Sequence, residues 1–204
     1  MKYHLGCGSR YMDGYVNVDF PSENHTVNQT VKADLYTDIL TMEYEPCDEI
    51  RSHHFFEHFG YVDAFRLLEN WTVALKEGGT LLIDVPDLNA LSMALVGGTL
   101  AQKFRVIRYL YGSQEAPWAR HINGWTEETL YAVLNVLGYG LSSVKRYGNP
   151  TDECPNCGVS VSAPLNVKMD REHVHSVLEK CLDLYTNGDT DFERRLADLW
   201  RSQL

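Results

Sequence analysis

The chain has 204 residues, of which 44% are hydrophobic and 23% are charged. This length and composition fit one globular domain, spanning residues 1–204, with a substantial core, and they are too short for two ordinary domains. No apolar stretch is long enough to cross a bilayer or to act as a secretion signal, so we expect a cytoplasmic protein.

The charge balance argues against nucleic acid as a partner. The chain carries 28 acidic and 18 basic residues, a net charge of −10, which would repel a phosphate backbone unless the basic residues shared one face. The largest basic cluster is only Lys103, Arg105 and Arg108. We therefore expect a small-molecule substrate, and neither nucleic acid nor a membrane as partner. Nothing in the sequence sets the oligomeric state.

Two short strands open the chain around a glycine turn. Residues 2–5 are a strand candidate that runs into Gly6-Cys7-Gly8, and residues 15–19 alternate apolar and polar side chains like a second strand. Only residues 9–14 separate the turn from the second strand, whereas a parallel crossover normally takes a dozen residues or more. The helix that usually lies between such strands is therefore predicted to be one turn or absent.

The remaining strands follow at intervals along the chain. They are predicted at residues 31–34, 48–52, 80–85, 141–147 and 158–163. The strand at 80–85 is strongly apolar and ends at Pro86, which is typical of a central parallel strand buried on both faces. The last two strands are joined by a loop and not a helix, so we predict that they pair antiparallel.

Helices are predicted where apolar residues recur at spacings of three and four. One covers residues 61–75, with Gly78-Gly79 as its terminator, and another starts after Thr126 as the N-cap. Two more close the chain within residues 170–204. Alternating strands and helices predict an α/β sandwich around a mostly parallel seven-stranded sheet whose last strand is antiparallel.

Residues 88–124 carry no assigned element. They contain Gly97-Gly98 near the middle and several aromatic residues, and a loop this long in a compact domain usually serves a function. We predict that this segment is an insertion that covers the substrate as a lid.

The residues that follow the strands are the candidates for ligand binding, because a parallel sheet binds its ligand outside the carboxyl ends of its strands. In chain order they are Gly6 and Gly8, Asp19, Asp34 and Leu35, His53 and His54, and Pro86 and Asp87. Glycines let the backbone approach a ligand closely, and a carboxylate at the next strand tip can accept both hydrogen bonds of a ribose diol. The first two strand tips therefore predict a nucleoside site.

Several ordered motifs make the sequence resemble the class I S-adenosylmethionine-dependent methyltransferases, which have a Rossmann-like sandwich fold. They are Leu5-Gly6-Cys7-Gly8, Gly14-Tyr15-Val16-Asn17-Val18-Asp19, His54-Phe55-Phe56-Glu57-His58, Leu75-Lys76-Glu77-Gly78-Gly79, Val85-Pro86-Asp87 and Trp125-Thr126-Glu127-Glu128. The likeness extends from about residue 2 to residue 147 and is most marked for the small methyltransferases that begin at the glycine motif. The ordered set is far more specific than the glycine turn alone.

The resemblance implies S-adenosylmethionine as the cofactor and assigns a position to each candidate. The turn of Gly6, Cys7 and Gly8 would face the methionine part of the cofactor, Asp19 its ribose, Asp34 and Leu35 its adenine, and His53 and His54 its sulfonium end.

The implied reaction is an in-line displacement in which an acceptor atom, oxygen in preference to nitrogen, attacks the methyl carbon. Because the sulfonium is already a good leaving group, alignment of the two reactants can supply most of the catalysis, about 7–11 kcal/mol. A hydroxyl acceptor on a metabolite or sugar precursor would release a proton to His121, His54, His58 or Asp87. We favour His121, which lies in a loop just before a helix cap.

The cysteines and one histidine motif leave metal-binding alternatives. Five cysteines without a secretion signal argue for reduced thiols, yet Cys154-x-x-Cys157 is half of a zinc pattern that Cys181, His173 or His175 would have to complete. His54-x-x-Glu57-His58 also spells an inverted zinc-protease motif. We interpret the first as a reduced turn and the second as a structural pair, and we assign no metal ligands.

A non-catalytic binding module that keeps the nucleoside fold and uses the Cys154–Cys157 turn for zinc or a partner is the alternative to the enzyme.

Overall fold

The structure, a computed structural model, describes residues 1–24, 31–148 and 157–204. Within these ranges the strands are β1 (Lys2–Leu5), β2 (Val16–Asp19), β3 (Leu35–Tyr36), β4 (Cys47–His53), β5 (Leu75–Pro86), β6 (Ser143–Tyr147) and β7 (Gly158–Pro164). They form one sheet in the order β3-β2-β1-β4-β5-β7-β6. The strands β1 to β5 pair in parallel, and β7 runs antiparallel to β5 and β6. The predicted fold class is confirmed.

The helices in the same ranges are α1 (Tyr61–Ala74), α2 (Leu88–Gly97), α3 (Leu100–Tyr111), α4 (Glu127–Val136), α5 (Arg171–Leu182) and α6 (Asp191–Gln203). Helix α5 packs against α1, α4 and α6, while α2 and α3 pack against each other. None of these helices has both the length and the apolar character that a membrane crossing requires.

The connection between β1 and β2 contains turns and no helix. The backbone N–H of Gly6 donates to Val18 O at 2.9 Å, and the N–H of Arg10 closes a turn onto Cys7 O at 2.8 Å. The expected shortening of this crossover is therefore confirmed, and residues 6–15 supply no helix N-terminus beside the glycine turn.

The prediction of a strand at residues 31–34 was wrong, because the strand beside β2 is β3. The Asp34 carboxylate accepts hydrogen bonds from the backbone N–H of Asn17 at 2.8 Å and from Asn17 Nδ2 at 3.0 Å. The Asp34 side chain thus accepts from the Asn17 N–H, the donor that a backbone carbonyl of a neighbouring strand would otherwise use. Regular pairing of β2 with β3 starts one residue later, at Leu35.

The prediction that α1 ends at Gly78-Gly79 was also wrong. The helix ends at Ala74, Leu75 is extended, and residues 75–79 already belong to β5. Gly78 has a φ of +79° and donates its N–H to Leu165 O at 2.8 Å, next to a register shift between β4 and β5. The two glycines therefore allow an irregular start of a strand.

The segment predicted as a lid, residues 88–124, contains α2 and α3, which the sequence analysis did not assign. Asp87 caps α2, and Thr99 forms a capping box with Gln102 at the start of α3. Leu91 and Val106 are the buried centre of a small hydrophobic cluster that is separate from the main core. This part of the chain is thus an ordered helical hairpin with its own small core.

Candidate active site

A cleft of about 270 Å³ lies at the carboxyl ends of β1, β2 and β4. Its lining residues are Gly6, Gly8, Asp19, Phe20, His54, Phe55, His58, Phe59, Glu115 and Trp118. The glycine turn, the acidic tip of β2 and the residues after β4 therefore meet in one place, as the strand-end argument predicts.

The glycine turn is shaped by the aromatic ring beside it. Gly6 and Gly8 have φ values of +64° and +54°, in the left-handed region that favours glycine. A Cβ atom on Gly6 would lie 2.4 Å from Cδ2 of Phe55, so this ring fills the space where a side chain would be. The close packing of Phe55 on Gly6 builds the floor of the cleft.

Asp19 is held at the tip of β2 by backbone donors. Its carboxylate accepts from Gly8 N–H at 2.6 Å through Oδ2 and from Phe20 N–H at 2.7 Å through Oδ1, and the residue is only 7% exposed. These two bonds fix a negative group against the glycine turn, at the edge of the cleft.

Cys7, which was predicted to face the cofactor, does not line the cleft. The side chain is buried with Sγ 3.5 Å from Lys32 O, and this burial raises the pKa of the Cys7 thiol to about 12. The group therefore stays protonated and points away from the cleft lining.

Asp34 and Leu35 do not line the cleft. The Asp34 carboxylate bonds Asn17 and accepts from the Tyr11 hydroxyl at 2.7 Å, and hydrogen bonds from Asn17 lower its pKa. Leu35 is exposed in β3. The assignment of Asp34 and Leu35 to the adenine stays a prediction. The hydrogen bonds of Asp34 with Asn17 connect β2 to the residues that lead into β3.

The two histidines after β4 have different surroundings. His53 Nδ1 bonds Asp84 Oδ2 at 2.8 Å, and its ring stacks on Tyr147. His54, with φ +48°, places Nδ1 3.2 Å from Glu57 Oε1 and Nε2 3.0 Å from the Tyr147 hydroxyl. Of the two, His54 lines the cleft.

The favoured proton acceptor, His121, lies behind the cleft. It lines a small crevice with Glu57 and Asn123, and its Nδ1 is 2.8 Å from Tyr109 O. Burial lowers the pKa of His121, although the Glu57 carboxylate opposes the shift. The ring is therefore neutral at pH 7.

Asp87 caps a helix and lies close to an arginine. The carboxylate caps α2 through Asn89 N–H at 3.0 Å, lies 3.4 Å from Arg146 Nε, and is 1% exposed. It does not line the cleft, so its catalytic role remains a prediction without a contact to support it.

Several lining residues were missed by the sequence analysis, namely Phe20, Phe55, Phe59, Glu115 and Trp118. Glu115 and Trp118 come from the predicted lid, and Trp118 Nε1 donates to Asn24 O at 2.8 Å, which ties that segment to the loop after β2. The aromatic residues beside His54 were a usable signal, because they immediately follow a strand end.

The expectation of reduced thiols holds for part of the chain only. Cys7, Cys47 and Cys181 are free and buried, whereas Cys157 is disulfide-bonded, so the expectation was wrong for Cys157. Cys154 lies outside the described residues. A disulfide sulfur is not a thiolate, so Cys157 in this state cannot serve as a zinc ligand.

Neither family models nor curated proteins match the sequence. Solved structures do match in fold. A methyltransferase from Archaeoglobus fulgidus described as S-adenosylmethionine-dependent aligns with a TM-score of 0.54 at 14% identity, over 80% of this chain and 85% of that one. One of the same description from Methanosarcina mazei gives 0.53 at 13%, over 80% and 91%. An O-methyltransferase family 2 protein from Planctomyces limnophilus in complex with apigenin gives 0.51 at 15%, and the match spans 50% of that longer chain.

The chain therefore has the fold of the class I S-adenosylmethionine-dependent methyltransferases, as its motifs led us to expect.

Proposed function

We propose that the protein binds S-adenosylmethionine in the cleft and transfers its methyl group to an oxygen atom of a small molecule. The observation that carries the proposal is the meeting of Gly6, Gly8 and the Asp19 carboxylate at one edge of this fold, with His54 across the cleft. The adenosyl ribose would bond Asp19, and the sulfonium would lie toward His54.

The cleft walls suit a methyl transfer in which alignment is the main source of rate. The acceptor oxygen attacks the methyl carbon, the carbon–sulfur bond breaks, S-adenosylhomocysteine leaves, and the hydroxyl proton is released. Aromatic side chains such as Phe20, Phe59 and Trp118 exclude water and hold two organic reactants in contact. Of the groups predicted to take the proton, His54 and His58 line the cleft, whereas His121 and Asp87 do not.

The small-molecule acceptor is proposed from size and charge. A volume of about 270 Å³ is close to the lower limit of about 300–1,000 Å³ for small-molecule sites. The net charge of −10 disfavours a polyanion. The O-methyltransferase among the similar structures supports oxygen as the acceptor atom.

Calorimetric titration with S-adenosylmethionine and S-adenosylhomocysteine tests the proposal. We expect both to bind the wild type, and Asp19→Ala to weaken binding by about 10- to 100-fold, the equivalent of losing charge-assisted hydrogen bonds. Asp13→Asn, in the exposed part of the β1–β2 connection, is the matched control and should bind normally. Asp19→Asn, which keeps the side chain's size, guards against a folding defect in the alanine variant.

Unchanged affinity in a folded Asp19→Ala protein would remove the basis for the proposed cofactor site. Nucleoside binding without methyl transfer to any hydroxylated acceptor would favour the non-catalytic binding module instead. The disulfide at Cys157 removes one ligand from the zinc turn that the module hypothesis used.

A further inference from the structure

Glu57, His58 and His121 form a cluster between the cleft, which His58 lines, and the small crevice, which Glu57 and His121 line. One ligand atom from each lies within 4.8 Å of the other two. Glu57 and His58 belong to the 3₁₀ turn Phe56–His58 that follows β4, and His121 comes from the far end of the lid segment. The cluster thus joins the strand-end motif to the lid.

The backbone fixes the tautomer of both imidazoles in their neutral form. His58 Nδ1 lies 3.0 Å from Arg120 O, and His121 Nδ1 lies 2.8 Å from Tyr109 O. A carbonyl oxygen only accepts, so each Nδ1 carries the hydrogen, and each neutral ring has its lone pair on Nε2. Ligand histidines in metalloproteins are oriented by such a bond from the other ring nitrogen.

Glu57 presents a buried oxygen atom without a partner. Among the described residues, Oε1 accepts from His54 Nδ1 at 3.2 Å, while Oε2 is buried and has no hydrogen-bond partner. The residue is 2% exposed.

The cluster therefore brings three acceptors together with no donor among them. His121 Nε2 is 3.7 Å from Glu57 Oε1, which is too long for a hydrogen bond. A single water molecule donates only two hydrogen bonds, whereas the Glu57 carboxylate and the Nε2 lone pairs of neutral His58 and His121 are three acceptors. A cation satisfies all three. We infer that Glu57, His58 and His121 bind a divalent transition-metal ion beside the cleft.

The ligand types favour zinc over magnesium or calcium. Two imidazoles and one carboxylate are a zinc ligand set that leaves a fourth position open, whereas magnesium and calcium prefer oxygen ligands. Tetrahedral zinc ligands are about 3.3 Å apart, given bonds of about 2.0–2.1 Å, so binding would draw the widest pair together by roughly 1–2 Å.

The role of this ion rests on the proposed function, although its binding does not. His58 belongs to the metal cluster and also lines the cleft, so an ion bound there would lie next to the acceptor. A metal-bound hydroxyl has a lowered pKa. Its proton would go to solvent, the oxygen would attack the methyl carbon, and the carbon–sulfur bond would break. The cluster thus indicates a hydroxylated acceptor that reacts while bound to the ion.

The test uses the full-length chain stripped with a chelator and titrated separately with Zn²⁺, Co²⁺ and Mg²⁺. We expect one Zn²⁺ per chain by elemental analysis, a visible absorption band with Co²⁺, and no heat with Mg²⁺. His58→Ala and His121→Ala should each lower zinc affinity by more than about 100-fold, because loss of an outer-shell partner alone costs about 10–100-fold. His173→Ala, on α5, is the matched control.

Three results would overturn the inference: no zinc above the level of the double variant His58→Ala/His121→Ala, zinc retained by both single variants, or zinc lost only in Cys157→Ser. Each variant is also titrated with S-adenosylmethionine. Far-UV circular dichroism and thermal melting show whether each variant is folded. Zinc binding without nucleoside binding in the wild type would reject the proposed function and leave the metal site standing.

Discussion

Gly6 occupies a position where both backbone and space require glycine, which makes the turn after β1 open to a controlled test. Gly6→Ala would combine a left-handed conformation, which costs about 1–2 kcal/mol, with a clash of the new methyl group against Phe55. Overpacking adds about 1–3 kcal/mol. We expect a loss of about 2–5 kcal/mol in the free energy of unfolding, measured by urea denaturation.

Gly14→Ala is the matched control for that substitution. Its φ is +82°, but no heavy atom lies within 4 Å of a Cβ there, so it bears the conformational cost without the clash. We expect a loss of about 1–2 kcal/mol. Equal losses in the two variants would mean that Phe55 moves away freely, and the ring would then not be a fixed floor of the cleft.

At the scale of a helix, the carboxyl end of α1 depends on a distant lysine. Lys168 Nζ donates to Thr72 O at 2.8 Å and to Val73 O at 2.6 Å, two of the carbonyls that a helix end leaves without partners. Desolvation lowers the pKa of Lys168, yet the charged amine still complements the helix dipole.

Lys168→Met should therefore lower the free energy of unfolding by about 1.5–3 kcal/mol, the range for hydrogen bonds to a charged group. Lys180→Met, in the last turn of the exposed side of α5, removes the same charge and should change stability little. Chemical denaturation of both proteins provides the comparison. Identical midpoints would show that water replaces the lysine at the end of α1 without cost.

Local signals explain which elements the sequence predicted. The N-cap Thr126 gave the start of α4, and the apolar run at 80–85 gave the central strand, because both depend on residues close together in the chain. The Asp34 side chain, which replaces a ladder bond, moved β3 away from its predicted place. The capping box of Thr99 and Gln102 could have predicted the start of α3. It was not used, because residues 88–124 were interpreted from their glycine and aromatic content.

The residues of the candidate site also fall into a group that the sequence predicted and a group that it did not. Gly6, Gly8 and Asp19 were predictable because strand ends of a parallel sheet converge. The approach of His121 to Glu57 was not, since it depends on how the helical hairpin of residues 88–124 returns to the sheet. The motif His54-x-x-Glu57-His58 was therefore visible in the sequence, but its proximity to His121 was not, and no metal ligands were predicted.

The described ranges of the chain contain two hydrophobic clusters, and this division determines how the molecule should respond to heat and denaturant. The main core includes Leu130 and surrounds the sheet, whereas Leu91 and Val106 centre the small cluster of α2 and α3. A small cluster opens at a lower free energy than the global unfolding reaction. The lid should therefore open locally while the sheet stays folded.

Leu91→Ala and Leu130→Ala separate the two clusters, because both remove a buried leucine and each is expected to cost about 2–5 kcal/mol in its own unit. In Leu91→Ala we expect faster hydrogen exchange confined to α2 and α3, with β1, β4 and β5 unchanged. In Leu130→Ala exchange should rise throughout the sheet. Because Trp118 reaches the cleft from the lid segment, Leu91→Ala should also weaken cofactor binding in a protein whose sheet remains intact. Uniform exchange in both variants would mean that lid and sheet unfold as one unit, and lid opening could then not admit substrate without unfolding the sheet.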